Sequence, residues 1–322
     1  MGHNIFSSLE NQYIHTPVLM EEIISFIKDI KELRGKTFVD CTLGEGGHSE
    51  LILKTFKDIK IIGFERDQEI LEISRKRLRD FGNRITFIND NFSNISEHLD
   101  IIKKKISLFL YDFGISSFHL EMSKRGFSLQ RDEILDMRLD LNCKVDARYI
   151  INKFPENQLR DLIFDLGEER WAKRIARYIC TSRAKNPIET TLELSTLILK
   201  AIPRRYHVKN IHPATRVFQA IRIAVNDELS CIDQSLKSVY NYLIPGGRII
   251  AISFHSLEDR IVKNRFKKLK TGCICDLDHR ICQCERNPLV KILTKKPLLP
   301  EESEILRNKR SRSAKLRVCE KI

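Results

Sequence analysis

One stretch constrains the fold of this chain more than any other. Phe38-Val39-Asp40-Cys41-Thr42 is a short apolar run, Leu43-Gly44-Glu45-Gly46-Gly47-His48 is a glycine-rich turn opening into a helix, and Ile61-Ile62-Gly63-Phe64-Glu65 is a second apolar run ending in an acid. Strand, turn, helix and second strand make a βαβ unit, which belongs in a parallel sheet covered by helices. Gly44, Gly46 and Gly47 let the backbone bend tightly and approach a ligand with no Cβ in the way. Glu65 follows the turn by about twenty residues, where an acid can hold both ribose hydroxyls of an adenosine-bearing cofactor.

The same rhythm continues to residue 112. Lys36–Thr42, Lys60–Glu65, Arg84–Asn89 and Ile106–Tyr111 read as buried strands, and Gly47–Phe56, Gln68–Phe81 and Ser93–Leu99 as the helices between them. From Leu141 to Leu229 the pattern predicts helices only. Within it, Trp171, Ile175, Tyr178 and Ile179 fall on one face of a helix over Arg170–Ser182. Segment 141–230 carries 16 Lys and Arg against 10 Asp and Glu, a net charge of +6. Pro245-Gly246-Gly247 reads as a turn into a strand over Arg248–Phe254, followed by a helix over Leu257–Leu269 and strands at Leu289–Thr294 and Lys315–Cys319. The expected class is α/β, with a Rossmann-like domain over 1–140 and 230–322 and an inserted all-helical domain over 141–229.

Charge and cysteine content narrow the setting. Lys and Arg outnumber Asp and Glu by 56 to 43, a net charge of +13, which favours a polyanionic partner or else marks a merely basic soluble enzyme. No run of apolar residues is long enough to span a membrane, and no basic segment leads into an apolar one at the start of the chain. Nine cysteines without an overall disulfide spacing fit reduced thiols, so a cytoplasmic location is expected.

The turn lacks the Gly-x-Gly-x-x-Gly spacing that cradles a pyrophosphate, which favours a cofactor without phosphates, such as S-adenosylmethionine, over a nicotinamide or flavin. Asp40 either reaches a cofactor amino group or braces the loop. The fourth strand ends in Tyr111-Asp112-Phe113-Gly114-Ile115-Ser116-Ser117, at the edge where open α/β sheets bind ligands. An aromatic exocyclic amine is a poor nucleophile because its lone pair is delocalised into the ring. Asp112 and the carbonyls of Phe113 and Gly114 could accept its protons and turn that lone pair toward an electrophilic methyl; the alternative is an Asp that caps the following turn.

Further motifs carry a family resemblance. His15-Thr16-Pro17-Val18-Leu19, Asp40 to Ser49, Asp112 to Ser117, Arg125-Gly126-Phe127-Ser128, Leu135-Asp136-Met137-Arg138, Gly167-Glu168-Glu169-Arg170, His212 to Ala220, Ser253 to Arg260 and Ser311 to Arg317 occur in one order. Together they resemble the bacterial 16S ribosomal RNA cytosine-N(4) methyltransferases, from about residue 15 to 318. The resemblance implies a class I methyltransferase core and methyl transfer from S-adenosylmethionine to the amine of one decoding-centre cytidine of 16S rRNA in the small ribosomal subunit. By position it places cofactor contacts on Gly46, Gly47, His48, Glu65, Phe92, Asp112 and His119, with Glu65 where the family often has Asp and His119 where Gln is common; Phe92 suits ordinary core packing equally well. Gly44 and Asp40 join them from the turn, and Asp112 is the expected catalytic residue. A non-catalytic ribosome-assembly factor with the same fold is the alternative. No membrane association or obligate protein partner is expected.

The remaining candidates concern RNA and metal. Arg216, Gln219, Arg222 and Asn226 recur at helical spacing as a polar stripe, either a solvated face or a surface for phosphates and base edges. Arg125, Arg138, His255 and the tail residue Arg312 are further RNA candidates, His255 being equally suited to a structural hydrogen bond. Cys273, Cys275, Cys282 and Cys284 form either a structural zinc site or a set of free thiols.

Overall fold

The computed structural model describes residues 17–31, 35–209, 211–272 and 287–322. The four clustered cysteines, Cys273, Cys275, Cys282 and Cys284, lie outside the described residues. The chain divides into two compact units, one made of 1–65, 69–114 and 235–322, the other of 66–68 and 115–234.

The first unit is built on seven strands: β1 (Thr37–Asp40), β2 (Lys60–Phe64), β3 (Ile85–Ile88), β4 (Ile106–Asp112), β5 (Leu243–Ser253), β6 (Val290–Ile292) and β7 (Lys315–Lys321). Their order is β3-β2-β1-β4-β5-β7-β6. The first five strands run parallel, and β7 is antiparallel to both β5 and β6. This is a Rossmann-like α/β core. Helix α1 (Met20–Lys28) precedes β1, and α2 (Gly47–Thr55), α3 (Gln68–Arg77) and α4 (Ile95–Ile102) occur between its early strands. One apolar layer packs Ile23, Ile27, Ile52, Leu53 and Leu71 against Phe38, Ile61, Leu108, Ile250 and Leu316 of the sheet. Strands β1 and β4 are buried on both faces, which explains their unbroken apolar runs.

The strands were legible in the sequence; their ends were not always. Pro245-Gly246-Gly247, expected as a turn, lies inside β5. Gly246 adopts a φ of 74°, and the β4–β5 register shifts between Ile106 and Leu108, so the glycines accommodate an irregularity within the strand instead of ending it. Helix α3 stops at Arg77, short of Phe81, and a 3-10 segment over Arg79–Arg84 takes over.

The second unit holds α5 (Ser117–Glu121), α6 (Ala147–Lys153), α7 (Glu156–Gly167), α8 (Ala172–Arg183), α9 (Thr191–Ala201) and α10 (Thr215–Asn226); α11 (Glu228–Ser238) leads back toward α12 (Ser256–Thr271) and, later, α13 (Glu302–Arg307). Its longer segment runs over 115–234. Phe127, Leu135, Met137 and Leu139 are buried with Ile163, Ile175, Ile179 and Val217 in one core. The stretch 122–146 forms no helix, so a search for helical period passes over it. Gly167 is where α7 approaches α10: a Cβ there would lie 2.8 Å from the Arg216 carbonyl oxygen. Among the described residues, no helix is long and apolar enough to cross a membrane.

Candidate functional site

In the first unit, the carboxyl ends of β1, β2 and β4 gather the predicted cofactor residues other than His119. The sheet order reverses between β1 and β4, and the crevice beyond such a reversal is where open α/β sheets bind ligands. After β1, Gly44 and Gly46 take φ values of 53° and 82°, a region that favours glycine, and Gly46 caps α2. Asp40 holds this turn from below: Oδ1 accepts from the Thr42 amide at 3.2 Å and Oδ2 from the Ser49 hydroxyl at 2.7 Å. Of the two roles considered for Asp40, the geometry matches the loop brace. Glu65 closes the turn from β2, its Oε2 accepting from the Gly44 amide at 3.0 Å. Phe92, on a 3-10 turn, meets Tyr111 edge-on at 5.9 Å and Phe113 at 6.2 Å between ring centroids, so an aromatic wall stands beside the end of β4.

Asp112 is the last residue of β4. Its amide donates to Thr42 Oγ1 at 2.6 Å, which ties the β4 end to the glycine turn. Its Oδ2 lies 3.6 Å from His48 Nδ1. His48 Nε2 is 3.1 Å from the Val18 carbonyl. A carbonyl only accepts, so Nε2 carries the proton and Nδ1 of the neutral ring turns a lone pair toward Asp112. The other oxygen, Asp112 Oδ1, is buried and has no hydrogen-bond partner among the described residues.

Burial governs the charge states here. It pushes the Asp112 carboxyl up to about 7, with repulsion from Glu258 adding to the effect. It raises Asp40 too, against the opposing pull of Ser49, His48 and the Thr42 amide, and it lowers His48. An acid with an unpartnered oxygen, poised near neutrality at a strand end, can accept a proton from a ligand amine or face a cation. The donor set suits S-adenosylmethionine: acidic groups for a sulfonium, Glu65 for a ribose diol, Phe92 for an adenine face, and a turn without a pyrophosphate cradle.

Among the described residues, the second unit holds the remaining predicted ones except His255 and Arg312. His119 is buried, with Nε2 3.0 Å from Asp67 Oδ2 and Nδ1 3.2 Å from both the amide and the hydroxyl of Ser116. Both ring nitrogens are therefore engaged within the protein. Arg125 donates to the same Asp67 oxygen at 2.6 Å and is 7% exposed. Burial alone would raise Asp67, but the hydrogen bonds from His119 and Arg125 outweigh it and hold the carboxyl below its ordinary range. Asp67, which no sequence motif singles out, is thus the hub of a buried cluster; its one signal is its place two residues past Glu65.

The RNA candidates separate by exposure. Arg125 is buried in that ion pair. Arg138 is bound to Asp136 and to the carbonyls of Leu141 and Cys143. Arg222 makes two bonds of 2.9 Å to Glu228. Asn226 is buried, accepting from the Leu139 amide at 2.9 Å and donating to the Met137 carbonyl at 2.7 Å. All four are engaged within the unit, Arg125 and Asn226 buried, Arg138 and Arg222 half-buried. Arg216 is exposed and Gln219 half-exposed, so the stripe faces solvent only at its first turn. In the first unit Arg312 is exposed, whereas half-buried His255 caps α12 in a capping box with Glu258. Thr42 and Ser49, also absent from the sequence-based candidates, act through short polar contacts that no sequence period announces.

The family model described as the MraW methylase family matches residues 12–322. Ribosomal RNA small subunit methyltransferase H of Clostridioides difficile is 47% identical over 313 residues, covering 97% of this chain and 100% of that protein. The proteins of that name from Halothermothrix orenii and Geobacter sp. (strain M21) are 45% and 46% identical over 310 residues, each covering 96% of this chain and 98% of its own length.

Proposed function

Since the chain belongs to the MraW methylase family, we propose that it methylates small-subunit ribosomal RNA, using S-adenosylmethionine, at the exocyclic N4 amine of one decoding-centre cytidine. The observation that carries this reading is the buried, unpartnered Oδ1 of Asp112 at the end of β4. An acceptor in that position has little structural use and suits an amine N–H.

When bound, S-adenosylmethionine supplies an electrophilic methyl group on a positively charged sulfur. Gly44, Gly46, Gly47 and His48 would form the turn beneath it, Glu65 would take its ribose hydroxyls, and Phe92 would pack on its base. Asp112, in its ionised form, accepts an amine N–H and turns the nitrogen lone pair out of conjugation with the cytosine ring. It can then take up the proton that the methylated nitrogen sheds. Thr42 fixes its backbone through the hydrogen bond from the Asp112 amide. A cytidine within folded RNA must be unstacked to reach such a carboxylate. Arg216 and Gln219 of the helical unit and Arg312 of the basic tail would supply contacts to the RNA.

The test is transfer of labelled methyl to 30S subunits isolated from cells lacking the enzyme, with the label located in digested rRNA by mass spectrometry. Label on one cytidine amine is the expected result. Cofactor binding with no transfer to the subunit would point to an assembly factor, and label on another base or atom would overturn the N4 assignment.

A further inference from the structure

The helical unit carries the chain's single tryptophan, Trp171, half-buried at the start of α8. Its ring lies 5.0 Å from that of Tyr206 at an interplanar angle of 50°. Tyr206 belongs to a 3-10 turn over Arg204–Tyr206 and is 43% exposed. The Arg205 guanidinium sits 4.9 Å from the centre of the Tyr206 ring. Arg204 and Lys209 near Tyr206, and Arg170 beside Trp171, are exposed as well.

Trp171 packs against the core of this unit, but core packing does not account for Tyr206. A core aromatic pair would bury both rings, yet Tyr206 keeps much of its surface in water. A solvated basic face gains nothing from two adjoining aromatic rings at its centre. Aromatic faces set among arginines are what single-stranded nucleic acid uses: a base stacks on a ring while the cations hold the adjacent phosphates. Stacking works for every base, so such a surface grips RNA without reading its sequence.

We propose that Trp171 and Tyr206 form a stacking platform for an unpaired nucleobase of the ribosomal RNA, with Arg204, Arg205 and Lys209 holding the backbone beside it. The inference rests on the reading of the substrate as small-subunit rRNA and adds where the protein grips it. The platform leaves the β1–β4 site untouched, so it governs affinity for RNA and not binding of the cofactor.

Trp171 is its own reporter, because no other tryptophan contributes to the emission. The full-length protein is titrated with a short single-stranded cytidine-rich oligoribonucleotide and with 30S subunits. Tryptophan emission and, separately, binding of the labelled RNA are followed over a range of salt. Quenching that tracks binding is expected. Tyr206→Ala should weaken RNA binding about tenfold, whereas Tyr206→Phe, which keeps the ring, stays near wild type. Arg204→Gln with Arg205→Gln should flatten the dependence of log affinity on log salt by about one for each phosphate that is no longer neutralised. S-adenosylmethionine affinity, read by calorimetry, stays unchanged in all of them. RNA binding with silent Trp171 emission, or Tyr206→Ala binding like wild type, would sink the platform alone. Failure of the wild-type protein to bind either RNA probe would bring down the substrate reading and the platform together.

Discussion

Replacing Asp112 by Asn should make the protein more stable while abolishing methyl transfer. The reason is the cost of keeping this carboxylate charged where it sits. Its pKa moves from the ordinary 3.8 to about 7, chiefly through burial, and Oδ1 has no hydrogen bond to offset the loss of water. For an acid whose folded pKa is raised, the folded state binds more protons between the two values, so stability falls as pH rises through that window. At about 1.4 kcal/mol per tenfold in proton affinity, the charged form costs at most about 4 kcal/mol above pH 7 and nothing below pH 4. Asn keeps the shape and removes the charge. Asp112→Asn should therefore melt higher at pH 8 by about 5 to 10 °C, allowing for partial relaxation around the site. The advantage should shrink by about 1.4 kcal/mol per pH unit below pH 7. Thermal unfolding of both proteins without ligand, from pH 5.5 to 8.5, measures this directly. A variant that melts at or below wild type at pH 8, or a difference that does not change with pH, would show that Asp112 is not a strained anion.

The same carboxylate sets the pH dependence of the reaction: because it must be ionised to accept the amine proton, the single-turnover rate should rise about tenfold per pH unit up to about pH 7 and level off above. A rate that is flat between pH 5.5 and 7.5 would contradict this. Gly46→Ala should weaken cofactor binding about tenfold, because φ at this position is +82° and the new Cβ would lie 3.0 Å from Leu78 Cδ1. Calorimetry with S-adenosylmethionine checks it, and unchanged affinity would mean the turn does not contact the ligand. Asn226→Ala should destabilise the helical unit by about 1–3 kcal/mol, since it strands the Leu139 amide and the Met137 carbonyl. The folded variant should bind 30S subunits like wild type; lower affinity at unchanged stability would return Asn226 to the RNA surface.

What the sequence determined by itself was local. The apolar runs of β1, β2 and β4, the glycine turn and the acid after β2 are written in contiguous residues, because strand burial and backbone freedom depend on a residue and its immediate neighbours. The placement of Asp112 at a strand end follows from the same pattern. Tertiary structure alone decided which charged residues remain available. Arg125 and Asp67 are 58 positions apart yet share a buried ion pair at 2.6 Å, and Asn226 braces Leu139 from 87 positions away. No periodicity reveals such partners, because a helical stripe looks the same whether it meets water or a carboxylate. The charge of Asp112 is likewise a tertiary property. Its identity is one letter in the chain, but its affinity for a proton is set by the water it loses and by Glu258 nearby, neither of which exists until the sheet has formed.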